Sequence, residues 1–312
     1  ILLYLALTAF DIDILAGQRT LLFLFNTAFL AMLLVWGVEG TSGNKSWLHF
    51  PFLPFNIQPA EVCKITYIII LAKTMSLNRN RISSLRSVGT LTFHMLWIVA
   101  LIVVISHDTG VALIFMFLFV VMAYVGGVSG WWFLGAGAVA AVSPYLWKYF
   151  IRDDQKQRIL ALIDPSIDPD GLGVLWQTNK SLEALRNGGL TGQGLFHGDL
   201  TSIGYLPAQH TDSIFSSIGE QLGMLGCLAA LFLLLAIVLR CIQVGMKSPD
   251  YMNRLICIGI ASMLLFQILI NVGVCLGLFP VVGLALPFLS YGGSSLLASM
   301  MCIGLLLNFS RT

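Results

Sequence analysis

A chain of 312 residues that is 57% hydrophobic and only 10% charged, with a mean hydropathy of +0.88, cannot present water with a polar surface on every side. A soluble domain carries roughly a quarter of its residues charged. The formal net charge of +2 says nothing about nucleic acid by itself, but no basic stripe is present and no nucleic-acid partner is expected. What remains is an all-α polytopic membrane protein, because at this hydrophobicity only helices satisfy their own backbone groups in lipid.

In chain order, Ile1–Phe10 is apolar, without Met, basic leader or cleavage site. It reads as the tail of a helix in a trimmed chain rather than as a signal peptide. Candidate spans then follow at 20–38, 60–78, 90–106, 110–126, 131–150, 214–239, 254–278 and 289–309. Arg19, Arg79, Arg81, Arg86, Arg240, Lys247, Arg254 and Arg311 fall on one side, against Lys45 alone in the opposite short loops. That asymmetry puts the first set in the cytoplasm. Three segments share the other side: Glu39–Pro59, the turn at His107–Gly110 and the 66 residues from Lys148 to Ser213. A stretch that long is expected to be folded and functional, with amphipathic helices at Gln155–Ile163 and Thr178–Arg186. No internal repeat is visible, and the chain reads as one domain. All six cysteines lie in or beside apolar segments and read as packing residues.

Gly188–Glu220, at the end of the long external segment, holds the first candidate. Asp212, in His210-Thr211-Asp212, stands where a new apolar helix begins. It is either a helix cap or a functional carboxylate, since acids at membrane depth are costly to keep. The glycines at 188, 189, 192, 194 and 198 are suited to presenting backbone N–H groups to an anion, although no Lys-Ser/Thr of a P-loop follows them. His197-Gly198-Asp199 and His210-Thr211-Asp212 hint at a divalent cation such as Mg or Mn without completing a ligand set; solvated loop residues are the plainer reading of His197 and Asp199. Glu61 and Lys64, three apart after Pro59, form either an internal ion pair or part of a cavity wall. Asp108 is a turn residue or a site wall. Lys156 and Arg158 face solvent or clamp a phosphate. The broken glycine- and proline-rich run from Asn271 to Ser295 requires protein or a wet cavity around it.

These segments together resemble the SEDS family of peptidoglycan polymerases (RodA, FtsW, SpoVE) over nearly the whole chain. Gln58-Pro59-Ala60-Glu61-Val62-Cys63-Lys64-Ile65 is similar to the family's QPSExxKI, and Leu206-Pro207-Ala208-Gln209-His210-Thr211-Asp212-Ser213 to LPExHTDF. Gln155–Pro165 resembles YQRxRIxxFLDP, and Gln177-Thr178-Asn179-Lys180-Ser181 resembles YQxxQS. Asn271–Ser295 resembles NxGxxxGLLPVTGLPLPFxSYGGSS. The departures are Ala60 for Ser, Ser46 for the arginine before Trp47, Ala208 and Ser213 in the HTD motif, and Gln221 in the usual glutamate pair at Glu220-Gln221.

The resemblance implies a bundle of about ten transmembrane helices, of which eight and a stub are covered. It implies polymerisation of lipid II, with release of undecaprenyl diphosphate, at the outer face of the bacterial cytoplasmic membrane. Asp212 then matches the residue assigned as catalytic. The substrate-binding candidates are Glu61, Lys64, Asp108, Lys156, Arg158, Gln177, Lys180, Ser181, His210, Glu220, Ser290 and Tyr291. The implied partner is a class B penicillin-binding protein, for which Gly259, Ala261 and Ser262, or a GxxxG pair at Gly273 and Gly277, offer a helix contact. A lipid II flippase is the alternative reading of the same intramembrane charges.

Overall fold

A computed structural model describes residues 12–39, 44–50, 56–141 and 153–311. The N-terminal stub and the end of the span at 131–150 lie outside the described residues. By its contacts the chain divides into two compact units. One comprises Ile1–Val128, Leu235–Phe266 and Tyr291–Thr312; the other comprises Ser129–Leu234 and Gln267–Ser290.

In the first unit, α1 (Ile12–Gly17), α2 (Arg19–Ala31) and α3 (Leu33–Trp36) lead to a short antiparallel ribbon of β1 (Gly37–Val38) and β2 (Trp47–Leu48). Helix α4 (Pro59–Leu77) is the core element, buried on nearly every side. Pro59 at its first turn lacks an N–H that would have had no helical partner. Helix α5 (Leu85–Leu101) is capped by Ser84, whose hydroxyl accepts from the Ser87 N–H at 3.3 Å. The cap starts this span five residues earlier than its apolar run suggests. The helix continues as a π-helical turn, Ile102–Ser106, and stops at His107 in the left-handed region. Helix α6 (Thr109–Val125) follows at once.

The second unit holds α7 (Gly130–Ala141), α8 (Asp153–Ile163), α9 (Trp176–Gly188), the one-turn α10 (Asp199–Ser202) and the beginning of α11 (Ile214–Lys247). Helices α8 and α9 give the long segment before α11 the folded content its length implied. Helix α12 (Tyr251–Cys275) and α13 (Gly293–Arg311) complete the chain.

Five described stretches are long and apolar enough to cross a membrane: Arg19–Trp36, Leu85–Ser106, Ile214–Lys247, Tyr251–Cys275 and Gly293–Ser310. Helix α4 has the length, with 19 residues, but carries Glu61, Lys64 and Lys73; α6 has 17 residues. The chain is therefore a mostly helical, multi-pass membrane protein.

Three expectations need correction. The spans at 254–278 and 289–309 are interrupted further than their hydropathy indicates. Helix α12 ends at Cys275, Gly277 takes φ +71°, and α13 begins only at Gly293. Gly273 and Gly277 consequently do not share a helix face, and a Cβ on Gly273 would run into the Phe279 ring. The small residues at 259–262 are also not open to a partner helix. A Cβ on Gly259 would meet Ile68 at 2.7 Å and Met122 at 3.0 Å, and Ala261 and Ser262 are buried. They serve close packing inside the first unit.

Candidate active site

The glycine-rich segment does something other than present N–H groups to an anion. Helix α11 breaks at Gly223, which takes φ +68°, and the break leaves backbone groups on both sides without helical partners. The loop 188–194 supplies them. Gln193 and Gly194 donate to the Glu220 and Gln221 carbonyls, each at 3.0 Å, while Met224 and Leu225 donate back to Gly189 at 2.9 Å and Leu190 at 3.2 Å. Such strand-like pairing needs backbones in contact. A side chain on Gly192 would collide with the Gln221 carbonyl, and one on Gly223 with Leu190 and Gly192. These glycines permit close approach.

Glu220, a substrate-binding candidate from its position, has a different task. Its side chain is 0% exposed, and its two oxygens accept from the Leu200 N–H at 2.8 Å and the Thr201 N–H at 2.9 Å. It holds the start of α10 onto α11, with Gly198 leaving room for the carboxylate. Glu220→Ala removes two charge-assisted bonds and leaves two donors poorly paired. It is expected to destabilise the protein by about 2–3 kcal/mol. A thermal melt checks this, and an unchanged midpoint would contradict it.

The same unit fixes the residues around Asp212 one by one. The Ser290 hydroxyl donates to the Thr211 carbonyl at 2.6 Å. The Asn271 side-chain amide donates to the Asp212 carbonyl at 2.9 Å and to the Leu284 carbonyl at 2.7 Å. The Ser213 hydroxyl lies within 3.3 Å of the Gln177 amide and 3.4 Å of the Ser181 hydroxyl, both one turn apart on α9. Three consecutive residues, two by their carbonyls and one by its hydroxyl, are thus tied to three separate segments. The Asp212 side chain lines a narrow cleft with Ile270, Asn271, Val274, Val282, Gly283 and Leu284. Arg158 donates to the Val281 carbonyl at 2.9 Å and so holds the segment that forms the cleft's other wall.

The remaining candidates of this unit make contacts of their own. The Lys180 ammonium pairs with Glu183 at 2.7 Å and sits 4.7 Å over the Tyr205 ring. His210 is exposed, against the Gln209 amide at 3.1 Å. Lys156 is half-buried on α8. Asp199 accepts from the Gln193 amide at 2.7 Å, and the His197 ring lies against the Leu195 carbonyl. Among the described residues no three His, Cys, Asp or Glu side chains come together to hold a metal.

The first unit assembles a second polar cluster. The Lys64 ammonium bonds the Glu61 carboxylate at 2.8 Å, both side chains buried. Asp108 is buried too; it accepts from the Val111 N–H at 3.0 Å, capping α6, and from the Ser46 hydroxyl at 3.2 Å. Burial pushes the Asp108 carboxyl above its ordinary range, with the Val111 and Ser46 bonds pulling the other way. A carboxyl raised in this way holds its proton more readily in the folded chain than in the unfolded one. Its contribution to stability is therefore greatest at low pH and falls as pH rises through the native value. Asp108→Asn keeps the acceptor for Val111 and removes the buried charge. Its melting temperature is expected to match or exceed that of the unsubstituted protein near neutral pH, with the difference closing on acidification. Melts across that range check it, and a deficit at neutral pH would refute it. Tyr291, the last candidate, is 83% exposed.

The family of the chain follows from its likeness to known proteins. The profile of the FtsW/RodA/SpoVE family, described as cell cycle proteins, matches residues 1–312. The chain belongs to this family. It is 36% identical over 284 residues to a probable peptidoglycan glycosyltransferase FtsW of Trichlorobacter lovleyi, covering 90% of this chain and 72% of that one. It is 35% identical over 283 residues to stage V sporulation protein E of Bacillus subtilis, covering 90% and 76%. A solved peptidoglycan synthase complex, described as coordinating polymerization and crosslinking, superposes with a TM-score of 0.80 at 30% identity, covering 99% of this chain and 85% of that one.

Asn271, Ser213 and Ser46 each bond a candidate residue or its neighbour and differ in how far residue type reveals them. Asn271 is a buried amide in an apolar helix, one turn after the buried Gln267, and a signal in its own right. Ser213 and Ser46 are small hydroxyls with no such signal; only folding shows that each bonds a candidate residue.

Proposed function

We propose that this member of a peptidoglycan glycosyltransferase family polymerises lipid II into glycan strands at the outer face of the cytoplasmic membrane, with Asp212 as general base. The observation that supports it most is the tethering of residues 211, 212 and 213 by Ser290, Asn271 and α9, beside a cleft that the Asp212 carboxylate lines. A base works only when held within hydrogen-bond reach of the proton it takes. In the reaction the acceptor sugar's 4-hydroxyl attacks the anomeric carbon of the donor, and Asp212 takes the hydroxyl proton. The new C–O bond forms as the bond to the pyrophosphate breaks, and undecaprenyl diphosphate leaves with its electron pair. With no covalent intermediate on the protein, the anomeric configuration inverts.

Cations near a departing pyrophosphate stabilise its charge. Lys156 and Arg158, both on α8, are the candidates, and Arg158 does so from the cleft wall it already anchors. The buried Glu61, Lys64 and Asp108 cluster is a candidate binding wall for the polar part of the substrate. The outer-face assignment rests on the eight-to-one split of Lys and Arg between the short loops. A crosslinking enzyme, of the class B penicillin-binding type, is the proposed partner. The synthase complex that shares this fold is described as coupling polymerization to crosslinking.

Incubation of the purified chain with labelled lipid II, alone and with the partner, tests the proposal. Glycan strands that a muramidase digests are expected. Translocation of lipid II across vesicles without any polymer would replace the enzyme reading with the flippase one.

A further inference from the structure

The turn at the end of the glycine-rich loop exposes two large apolar side chains, Leu195 and Phe196, at 56% and 84%. The turn is not slack. Phe196 is held in the left-handed region, φ +64°, where a side chain is normally disfavoured. Its N–H donates to the Gln221 side chain at 3.0 Å, and Gln193 and Asp199 exchange two bonds of 2.7 and 2.8 Å across the base of the turn. Leu190, also exposed, precedes it on the edge that pairs with Leu225. A strained backbone pinned from several sides, with its apolar groups projecting outward, needs an apolar medium to receive them.

The depth of that edge follows from the helix it is bonded to. From Leu222 to Leu239 helix α11 has no charged residue, and Arg240 ends the run. Beyond the break at Gly223, Met224–Leu239 rise about 24 Å at 1.5 Å each, approaching the hydrocarbon thickness of a bilayer. Leu222–Leu225 therefore lie at one hydrocarbon boundary, and Leu190 and Phe196 are bonded to residues of that level. The outward face of α11 continues the same apolar surface through Leu222, Met224, Leu225 and Leu228, all exposed. An edge continuous with a lipid-facing helix, at the depth where headgroups give way to acyl chains, has the lipid itself as its occupant.

We propose that the Leu190–Phe196 edge of the glycine-rich loop is a membrane-inserted anchor that dips into the interfacial region of the outer leaflet beside α11. It fixes the depth of the loop, and through Glu220 and the paired backbone it fixes the depth of the helix that starts beyond Asp212. The inference depends on α11 spanning the bilayer and is independent of the polymerase reading.

Nitroxide labels at Leu190→Cys and Phe196→Cys, in vesicles of phosphatidylethanolamine and phosphatidylglycerol holding this chain alone, test it. The six native cysteines are buried, and the unsubstituted chain gives the labelling background. Leu228→Cys on the exposed face of α11 marks lipid, and Asp170→Cys on the exposed loop marks water. The ratio of oxygen to nickel-chelate collision rates is expected to be several-fold higher at 190 and 196 than at 170, approaching that at 228. A ratio at 196 equal to that at 170 would overturn the proposal. So would shielding of both labels from both reagents, which would mean that protein covers the edge. An apolar ratio appearing only after a crosslinking partner is added would assign the surface to that partner. If Leu190→Cys fails to fold, the label at Phe196, whose side chain packs on nothing the turn needs, decides alone.

Discussion

Asp212→Asn is expected to lower glycan polymerisation by about 10²–10⁴-fold, the range for loss of a general base, while leaving the melting temperature unchanged. The two effects separate because the structure ties this position down by its backbone. Asn271 bonds the Asp212 carbonyl, and Ser290 and α9 hold the residues on either side. None of those bonds uses the carboxylate, so replacing one side-chain oxygen by an amide leaves them all in place. The assay is strand formation from lipid II at saturating substrate, with a thermal melt of the same preparation. Activity within a few-fold of the unsubstituted enzyme would remove Asp212 from the chemistry. A large fall in melting temperature would instead make it a structural cap.

The parallel change Asn271→Ala separates positioning from chemistry. It deletes the donor to the Asp212 and Leu284 carbonyls but leaves the carboxylate, and Asn271 lines the same cleft. A residue that positions a base should lower turnover without moving the pH at which the base titrates. A shift in the acidic limb of the pH–rate profile would mean that Asn271 contacts the reacting groups.

The helices were legible because their signal is summed over many residues: long apolar runs, segregated charges and a proline at the first turn of α4 all agree. The breaks were less legible. Gly223 sits inside an apolar run, where one glycine is a weak signal, and nothing local says that a loop thirty residues upstream will pair with the exposed backbone. For the same reason the glycines at 188–194 read as anion ligands: the residue type that frees N–H groups for a ligand also lets two backbones touch. Glu220 was visible as an acid at a helix start, but which donors its two oxygens meet depends on Gly198 and α10 arriving beside it. In the Asp212 cleft the sequence motif marks the carboxylate, while its supports come from positions sixty to eighty residues away. Pairwise contacts at that separation have no local signature.

Lys64→Met alone is expected to destabilise the protein by about 3–5 kcal/mol, more than the double change Glu61→Leu with Lys64→Met. The asymmetry comes from burial. The Lys64 side chain is 0% exposed and bonds Glu61 at 2.8 Å, one turn along the most buried helix of the first unit. A single substitution strands the Glu61 carboxylate among apolar side chains, where its desolvation is no longer offset by a partner. Asp108 is a second buried acid that feels both Glu61 and Lys64, so removing the cation also takes away a charge that favours its ionised form. The double change removes the ion pair together and replaces it with groups that pack, which in buried sites costs little or even stabilises. The measurement is a double-mutant cycle of thermal melts on Glu61→Leu, Lys64→Met and the double variant, each purified in the same detergent. A coupling energy near zero would show two independently hydrated groups. Polymer formation by the double variant then addresses function separately: a protein that melts normally but no longer makes glycan strands has lost a binding wall, because its fold no longer depends on the charges that were removed.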